Sequence, residues 1–417
     1  LTGIREQLSL FDRFQPEDSL VGRRDVLQEL GVLRTRSEEI GQTVIISGEA
    51  GIGKSRLLAE SISVTTIEKA SIVELMCYPE NKNSALAPFL SFLKIYYKID
   101  SFEDSLDRDR YLLAELAECS FDLKSYLSLL YYWLGINSST FGPLSISPQK
   151  QKEQFLTMTV SLFFESIFQD QTILIFEDIH WIDPTSEELL SLMLQEVPQH
   201  NCLFMMTARP EFTSPWDKKL TNFIDLKGLK EDGVELLIRR GFKGREISEE
   251  LILKMISKVN GNPLFAEEMV KSFHDQDLGI SQIYQDEITI PENLDDLFSA
   301  KLNRIGVAKL TAQLASVIGP RFQYDLLREI FPDDESVLLA DLTQLLVSGF
   351  IHVIPRTDVL EYAFDHALIG DNAYQSIPLE RCQQIHAKLG ELIEAGIYVD
   401  GGEDKLDVNT FREELRD

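Results

Sequence analysis

The most informative part of the chain is the stretch GEAGIGKSR, residues 48–56. A short β-branched run, TVIIS (43–47), precedes it, and RLLAE (56–60), which favours a helix, follows it. Glycines let the backbone wrap a phosphate chain with its N–H groups pointing inward, and the N-terminus of the following helix adds a positive dipole end. Strand, loop and helix together form the P-loop pattern G-x-x-x-x-G-K-[ST], which predicts a site for a nucleoside triphosphate.

Each residue type in this loop has a physical task. Lys54 is long enough to reach the β- and γ-phosphates, and the hydroxyl of Ser55 can ligate Mg²⁺. The turn Val21–Gly22–Arg23 lies upstream and is expected to contact the edge of the adenine. The candidate nucleotide-binding residues of the loop itself are Gly48, Glu49, Ala50, Gly51, Ile52, Gly53, Lys54, Ser55 and Arg56.

A second informative stretch is TILIFED, residues 172–178, a hydrophobic strand that ends in two acids. Open α/β sheets bind ligands at the carboxyl ends of their strands, so this Walker B pattern places Glu177 and Asp178 beside the P-loop. One carboxylate would hold Mg²⁺ and the other would polarise the attacking water, and the sequence leaves open which does which. The candidate catalytic residues are therefore Glu177, Asp178 and Lys54.

A further strand, CLFMMT (202–207), leads to Arg209. An arginine at a strand end beside a phosphate site can touch the γ-phosphate and report whether it is present. The alternative is a surface arginine that simply precedes the turn at Pro210.

Composition narrows the class of protein. The 417 residues include 68 acidic and 40 basic ones, for a formal charge of −28, which repels a nucleic-acid backbone and disfavours DNA or RNA as a partner. No apolar run approaches the ~20 residues that span a bilayer. The widely spaced Cys77, Cys119, Cys202 and Cys382 indicate reduced thiols in a cytoplasmic protein.

The patterns divide the chain into five segments, and its start at Leu1 instead of Met suggests a piece of something larger. After residue 226 the strand pattern gives way to short helices, followed by three helices and a hairpin of winged-helix composition. The predicted segments are a linker (1–18), an α/β P-loop domain with a parallel sheet (19–226), a helical lid (227–289), a winged-helix domain (290–395), and the start of a further helical region or a disordered tail (396–417).

The order of the motifs resembles the AAA-type ATPase module of STAND proteins, the signal-transduction ATPases with numerous domains. The likeness is greatest to the module C-terminal to the catalytic domains of bacterial class III adenylyl cyclases and to modules of large LuxR-type regulators. It rests on Val21–Gly22–Arg23, GEAGIGKSR (48–56), ILIFEDIHWIDPTS (173–186), MMTARPEF (205–212), GNPLFAEE (261–268), IP-x-x-L (290–294), ASVIGPRF (315–322) and YAFDHALI (362–369).

The resemblance implies a role for each matching residue. Glu177 and Asp178 fall on the usual pair of acids, although the first is Glu where Asp is commoner. Arg209 falls on the sensor arginine, Pro263 on the GxP proline that packs against the base, and His366 on the histidine that contacts the β-phosphate of ADP. Pro263 as a plain helix cap, and His366 as a core or surface histidine, are the alternatives.

The resemblance also implies a function, that of an ATP/ADP switch with Mg²⁺ as a further cofactor. Slow hydrolysis, a weak ATPase activity, would reset the switch. Its partners would be the effector and sensor domains of the same full-length protein, and a second copy of the chain in the ATP state. A non-hydrolysing scaffold and a robust ATPase motor are the rival interpretations. DNA binding by the winged helix is disfavoured by the acidic balance.

Overall fold

The computed structural model of the protein describes residues 20–63, 70–102, 104–117, 119–136, 144–168, 171–243, 247–275, 291–354 and 360–394. The chain divides into two compact units, one up to Gly228 and one from Leu229. The predicted N-terminal linker and C-terminal tail lie outside the described residues, and the five predicted segment boundaries stay predictions.

A parallel five-stranded sheet forms the centre of the first unit, and the sequence predicted its parallel arrangement. The strand order is β2-β3-β4-β1-β5, so the P-loop strand β1 lies next to β4, and β4 lies next to the strand that carries the acids, β3. Sequence reasoning missed β5, because its four residues are mostly exposed and carry no apolar run. The strands are β1 (Gln42–Ser47), β2 (Ser71–Met76), β3 (Thr172–Glu177), β4 (Cys202–Ala208) and β5 (Asn222–Asp225).

Helices cover both faces of this sheet, which is why its inner strands are apolar along their whole length. In β1, Val44 and Ile46 pack into one core cluster and Ile45 into another, and all three side chains are fully buried. The helices are α1 (Arg24–Ser37), α2 (Lys54–Ser63), α3 (Ala87–Tyr96), α4 (Ser105–Glu115), α5 (Leu123–Leu134), α6 (Pro148–Leu162) and α7 (Pro184–Glu196).

The helices between β2 and β3 fix one face of the sheet through aromatic packing. Phe89 of α3 meets Phe163 at 5.9 Å and Phe176 of β3 at 5.6 Å between ring centroids, edge to face in both pairs. Such pairs stabilise a core beyond their buried area. They hold β3, and therefore the acids at its end, in a fixed position.

The second unit is helical with a small antiparallel sheet of order β6-β8-β7. The hairpin predicted around residues 350–364 is present as β7 and β8, whereas the three-residue β6 was too short to predict. The winged-helix assignment stays a prediction. The elements are α8 (Glu231–Gly241), α9 (Glu249–Val259), α10 (Pro263–Asp275), α11 (Leu294–Arg304), α12 (Ala308–Ile318), β6 (Arg321–Gln323), α13 (Tyr324–Ile330), α14 (Glu335–Val347), β7 (Ile351–Val353), β8 (Glu361–Phe364), α15 (Ala367–Gln375) and α16 (Leu379–Glu394).

Candidate nucleotide-binding site

The loop between β1 and α2 has the backbone shape that its glycines allow. Gly51 and Gly53 have φ of +75° and +96°, a region that side chains other than glycine rarely adopt. A Cβ at Gly48 would lie 3.0 Å from the carbonyl oxygen of Leu226, so the close approach of these two segments also requires glycine. Because α2 begins at Lys54, its N-terminal N–H groups are at the loop, where an anion is favoured.

The side chain of Lys54 lies over this loop. Its Nζ donates to the carbonyl oxygens of Gly48 at 2.6 Å and Glu49 at 3.0 Å, and the residue is buried. Burial lowers the pKa of Lys54 from its ordinary value, an effect that the charge of Asp178 opposes and that of Arg209 adds to. The lysine is therefore within electrostatic reach of the strand ends of both β3 and β4.

Ser55 connects the P-loop helix to the acid-bearing strand. Its hydroxyl donates a hydrogen bond to Oε2 of Glu177, the last residue of β3, whose side chain is buried. A hydroxyl and a carboxylate are the hard oxygen donors that suit Mg²⁺. No cluster of three or more His, Cys, Asp or Glu side chains suited to a metal occurs in the described ranges. Mg²⁺ commonly uses one or two carboxylates together with substrate phosphates and water.

Asp178 occupies a different position from Glu177. Its backbone is left-handed, with φ of +57°, and its N–H donates to the hydroxyl of Thr207 in β4 at 2.9 Å. The Asp178 carboxylate is partly exposed and its Oδ1 lies 3.8 Å from Nδ1 of His180. The structure thus places Glu177 against Ser55 and Asp178 on the adjoining turn. Sequence reasoning missed Thr207, because nothing in the sequence pairs it with a residue on another strand.

His180 lies between Asp178 and Trp181 in a buried, positively charged environment that disfavours protonation of its ring. Its side chain is 10% exposed, and both ring nitrogens lack a hydrogen-bond partner among the described residues. Burial, followed by the positive charges of Arg209, Lys54 and Lys82, lowers the pKa of His180 to about 4. The ring is therefore uncharged near neutral pH.

Arg209 follows the end of β4 and lies near the loop formed by residues 178–183. Its Cζ is 5.8 Å from the ring centroid of Trp181, a cation–π distance. The structure brings Arg209 to the same end of the sheet as Lys54, Glu177 and Asp178. Its role as a γ-phosphate sensor stays a prediction.

The turn Val21–Gly22–Arg23, which is predicted to contact the edge of the adenine, is held by hydrogen bonds within the protein. Gly22 has φ of +69°, and the buried Arg23 donates to the carbonyl oxygens of Lys227 at 2.5 Å and Ile52 at 3.1 Å. Burial lowers the pKa of Arg23, which Asp25 partly offsets. The guanidinium thus ties the turn at Val21 to the P-loop and to the segment after β5. Its contact with a base stays a prediction.

Pro263 and His366 lie in the second unit, so their predicted contacts with a nucleotide stay predictions. Pro263 begins α10 after a left-handed turn at Asn260 and Gly261, with φ of +48° and +78°. His366 precedes α15, and burial lowers its pKa while Glu268 opposes that shift. Both residues therefore begin helices in their own unit.

Comparison with known proteins agrees with this geometry. Residues 19–205 match the family model described as the AAA ATPase domain. An uncharacterized protein of Rhizobium meliloti (strain 1021) is 26% identical over 357 residues, which cover 84% of this chain and 34% of that protein. The chain thus spans about a third of the length of the curated relative it matches.

One solved structure has a similar fold over most of this chain. A STAND protein with a tetratricopeptide repeat sensor from Pyrococcus horikoshii is similar over 92% of this chain and 47% of its own, with a TM-score of 0.51 and 16% identity. The Aeropyrum pernix ORC2 protein is similar over 94% of this chain and 99% of its own, at a TM-score of 0.37 and 13% identity.

The sheet order and the P-loop are those of a P-loop NTPase fold, and the match of residues 19–205 to the AAA ATPase domain agrees with the family predicted from the motifs. The fold of the chain is similar to that of the STAND protein from Pyrococcus horikoshii. The helices in the described ranges are all too short or too polar to cross a bilayer. The particular likeness to adenylyl cyclase and LuxR-type modules stays a prediction.

Proposed function

We propose that this chain is the nucleotide switch of a larger signalling protein, binding ATP and ADP and resetting itself by slow Mg²⁺-dependent hydrolysis. The observation that supports this is the hydrogen bond between Ser55 and Glu177, which joins the phosphate loop to the acid-bearing strand. The two halves of a phosphoryl-transfer site are thereby held together at one end of the sheet.

The geometry supports a division of labour between the two acids. Ser55 and Glu177 are the residues that would hold Mg²⁺, which when bound offsets the charge of the phosphates. The Asp178 side chain is partly exposed, and we assign it to orienting a water molecule. Lys54 would exchange the carbonyls of Gly48 and Glu49 for phosphate oxygens, an exchange of neutral acceptors for charged ones.

A switch requires that two conformations differ in their affinity for the two nucleotides. Arg209 is the candidate contact to the γ-phosphate, while Pro263 and His366 are the candidate contacts of the ADP state. A conformation that prefers ATP to ADP tenfold is stabilised by only about 1.4 kcal/mol when ATP replaces ADP. If the conformation of the ADP state is favoured by more than that, exchange of the nucleotide alone cannot reverse the equilibrium, and a second input is needed. That input would come from sensor and effector domains of the full-length protein, and assembly of several copies would follow in the ATP state.

Turnover distinguishes the switch from its rivals. We expect phosphate release well below the ~1 s⁻¹ that marks the slow end of ordinary enzymes. We also expect hydrogen-exchange protection of the chain to differ between ATP and ADP. Asp178→Asn should abolish release while leaving ATP binding within about threefold, because it removes only the group that orients the water. A scaffold would show neither turnover nor a nucleotide-dependent change, and a motor would release phosphate rapidly.

Arg209→Gln tests the sensing step by itself. If the guanidinium contacts the γ-phosphate, the variant should lose about tenfold in ATP affinity and little in ADP affinity, since a hydrogen bond to a charged group contributes about 1.5–3 kcal/mol. Calorimetric titration with each nucleotide measures both values. Arg240, an arginine in the second unit's α8, provides the matched control as Arg240→Gln. Equal losses for ATP and ADP would show that Arg209 does not sense the γ-phosphate.

A further inference from the structure

One lysine near the candidate site belongs to no motif. Lys82 lies in the segment between β2 and α3, and its Nζ is 5.5 Å from the ring centroid of Trp181. Arg209 approaches the same ring to 5.8 Å. Both distances are within the ~6 Å over which a cation is attracted by an indole ring. Two cations from distant parts of the sequence therefore share one aromatic side chain.

A third cation belongs to the same group. Lys54, Lys82 and Arg209 all act electrostatically on His180, whose ring lies 5.0 Å from that of Trp181. They come from the start of α2, the β2–α3 segment and the end of β4. The carboxylates of Asp178, Glu49 and Glu177 act on Lys54 and offset part of this positive charge. Cations that converge at the end of a parallel sheet, where such folds bind ligands, favour a ligand of high negative charge.

The backbone that carries Lys82 is anchored to the loop that carries Trp181. Leu86, fully buried, has φ of +62°, which is rare for a bulky side chain. Its N–H donates to Oδ1 of the buried Asp183 at 3.2 Å, and the same carboxylate caps α7 by accepting from Thr185 N at 3.0 Å. Such a conformation persists only where the surroundings hold it. The anchor keeps the Lys82 segment beside Trp181.

We propose that Lys82 is a second phosphate-binding cation and that Trp181 is a positioning residue that holds Lys82 and Arg209 at the terminal phosphate of a nucleoside triphosphate. This inference rests on the proposed function of the site. Lys54 serves the β- and γ-phosphates from the P-loop, and Arg209 is the candidate contact to the γ-phosphate. The cation that shares the Trp181 ring with Arg209 is therefore assigned to the same phosphate. The side chain of Lys82 is exposed and so is accessible to a ligand.

Lys82→Gln tests the lysine. It should weaken ATP binding about tenfold and ADP binding less than about twofold, because only the triphosphate offers the third phosphate. Lys150→Gln removes the same charge from an exposed position on α6 and should change neither affinity by more than about twofold. Calorimetry gives the affinity of each of the two variants for ATP and for ADP relative to the wild type. The melting temperature checks that each variant is folded.

Trp181 is tested by two variants that differ in aromatic character. Trp181→Phe should keep most of the preference for ATP over ADP, whereas Trp181→Leu should reduce it about tenfold, since only a ring face attracts cations. A purely structural role would lower both affinities together. The inference is overturned if Lys82→Gln leaves ATP affinity unchanged, or lowers ATP and ADP equally, in a background where the wild-type protein binds both. A wild-type protein that binds neither nucleotide would instead refute the proposed function.

Discussion

Lys54→Met is expected to weaken ATP binding by about a hundredfold, since hydrogen bonds to charged groups contribute about 1.5–3 kcal/mol and each 1.4 kcal/mol is a factor of ten. Methionine keeps the length of the side chain and removes its charge and its donors. The loss should be larger than for any other single substitution in the site, because Lys54 is the cation held within the P-loop itself. Titration calorimetry with ATP and Mg²⁺ measures it.

The substitution also removes the hydrogen bonds from Lys54 to the carbonyls of Gly48 and Glu49, so folding must be checked separately. Lys54→Arg keeps the charge and donors and should retain more of the affinity than Lys54→Met. Lys150→Met changes an exposed lysine on α6 and should bind ATP as the wild type does. If folded Lys54→Met binds ATP and ADP with unchanged affinity, the P-loop is not the nucleotide site and the proposed function is wrong.

The sequence predicted those features of the site that are local in the chain. The P-loop between 48 and 56 follows from glycine spacing, and the acids at 177 and 178 follow from one apolar strand. The structure brings both to the same end of the sheet, through Ser55 and Glu177. The sequence can predict such an arrangement because short-range patterns determine loop shape and strand ends, and a parallel sheet aligns its carboxyl ends.

Contacts between residues that are far apart in the chain could not be predicted from the sequence. The turn that contains Arg23 is predicted to contact the adenine edge, and nothing in the sequence indicates that its guanidinium also binds the carbonyl oxygen of Lys227, 204 positions away. Lys82 lies in no recognisable pattern, and nothing in the sequence relates it to Trp181, its neighbour in the folded unit. The sequence contains no signal that pairs such residues, because each contact depends on how separate segments meet in the folded unit.

The second unit offers a prediction on stability. Glu268 in α10 is buried and accepts hydrogen bonds from Lys301 in α11 and from Lys271, the latter at 2.7 Å. Burial by itself raises the pKa of Glu268, but the ammonium groups of Lys301 and Lys271 outweigh it and hold that pKa below its usual value. This buried ion pair joins a helix of the predicted lid to the first helix of the predicted winged-helix domain.

Lys301→Met should therefore destabilise the second unit by about 3–5 kcal/mol, since it leaves a buried carboxylate with only its more exposed partner, Lys271. Glu268→Gln combined with Lys301→Met should recover much of that loss, because no unpaired charge is then buried. Glu249→Gln breaks the exposed pair between Arg239 and Glu249 and should change stability by less than about 1 kcal/mol. Hydrogen exchange of α10 and α11 measures the stability of this unit. Tryptophan fluorescence would not, since all three tryptophans lie in the first unit.

The same ion pair gives the sign of the pH dependence. Because the folded-state pKa of Glu268 is depressed, its contribution to stability is fully present above the ordinary glutamate pKa, about 4.3, and is lost as pH falls through the folded value. The difference in stability between the wild type and Lys301→Met should therefore be constant near neutral pH and shrink in acid. A difference that grew on acidification would contradict an ionised, paired Glu268. A difference that did not change with pH would mean that α10 and α11 are held together by apolar contacts alone, such as those around Leu297.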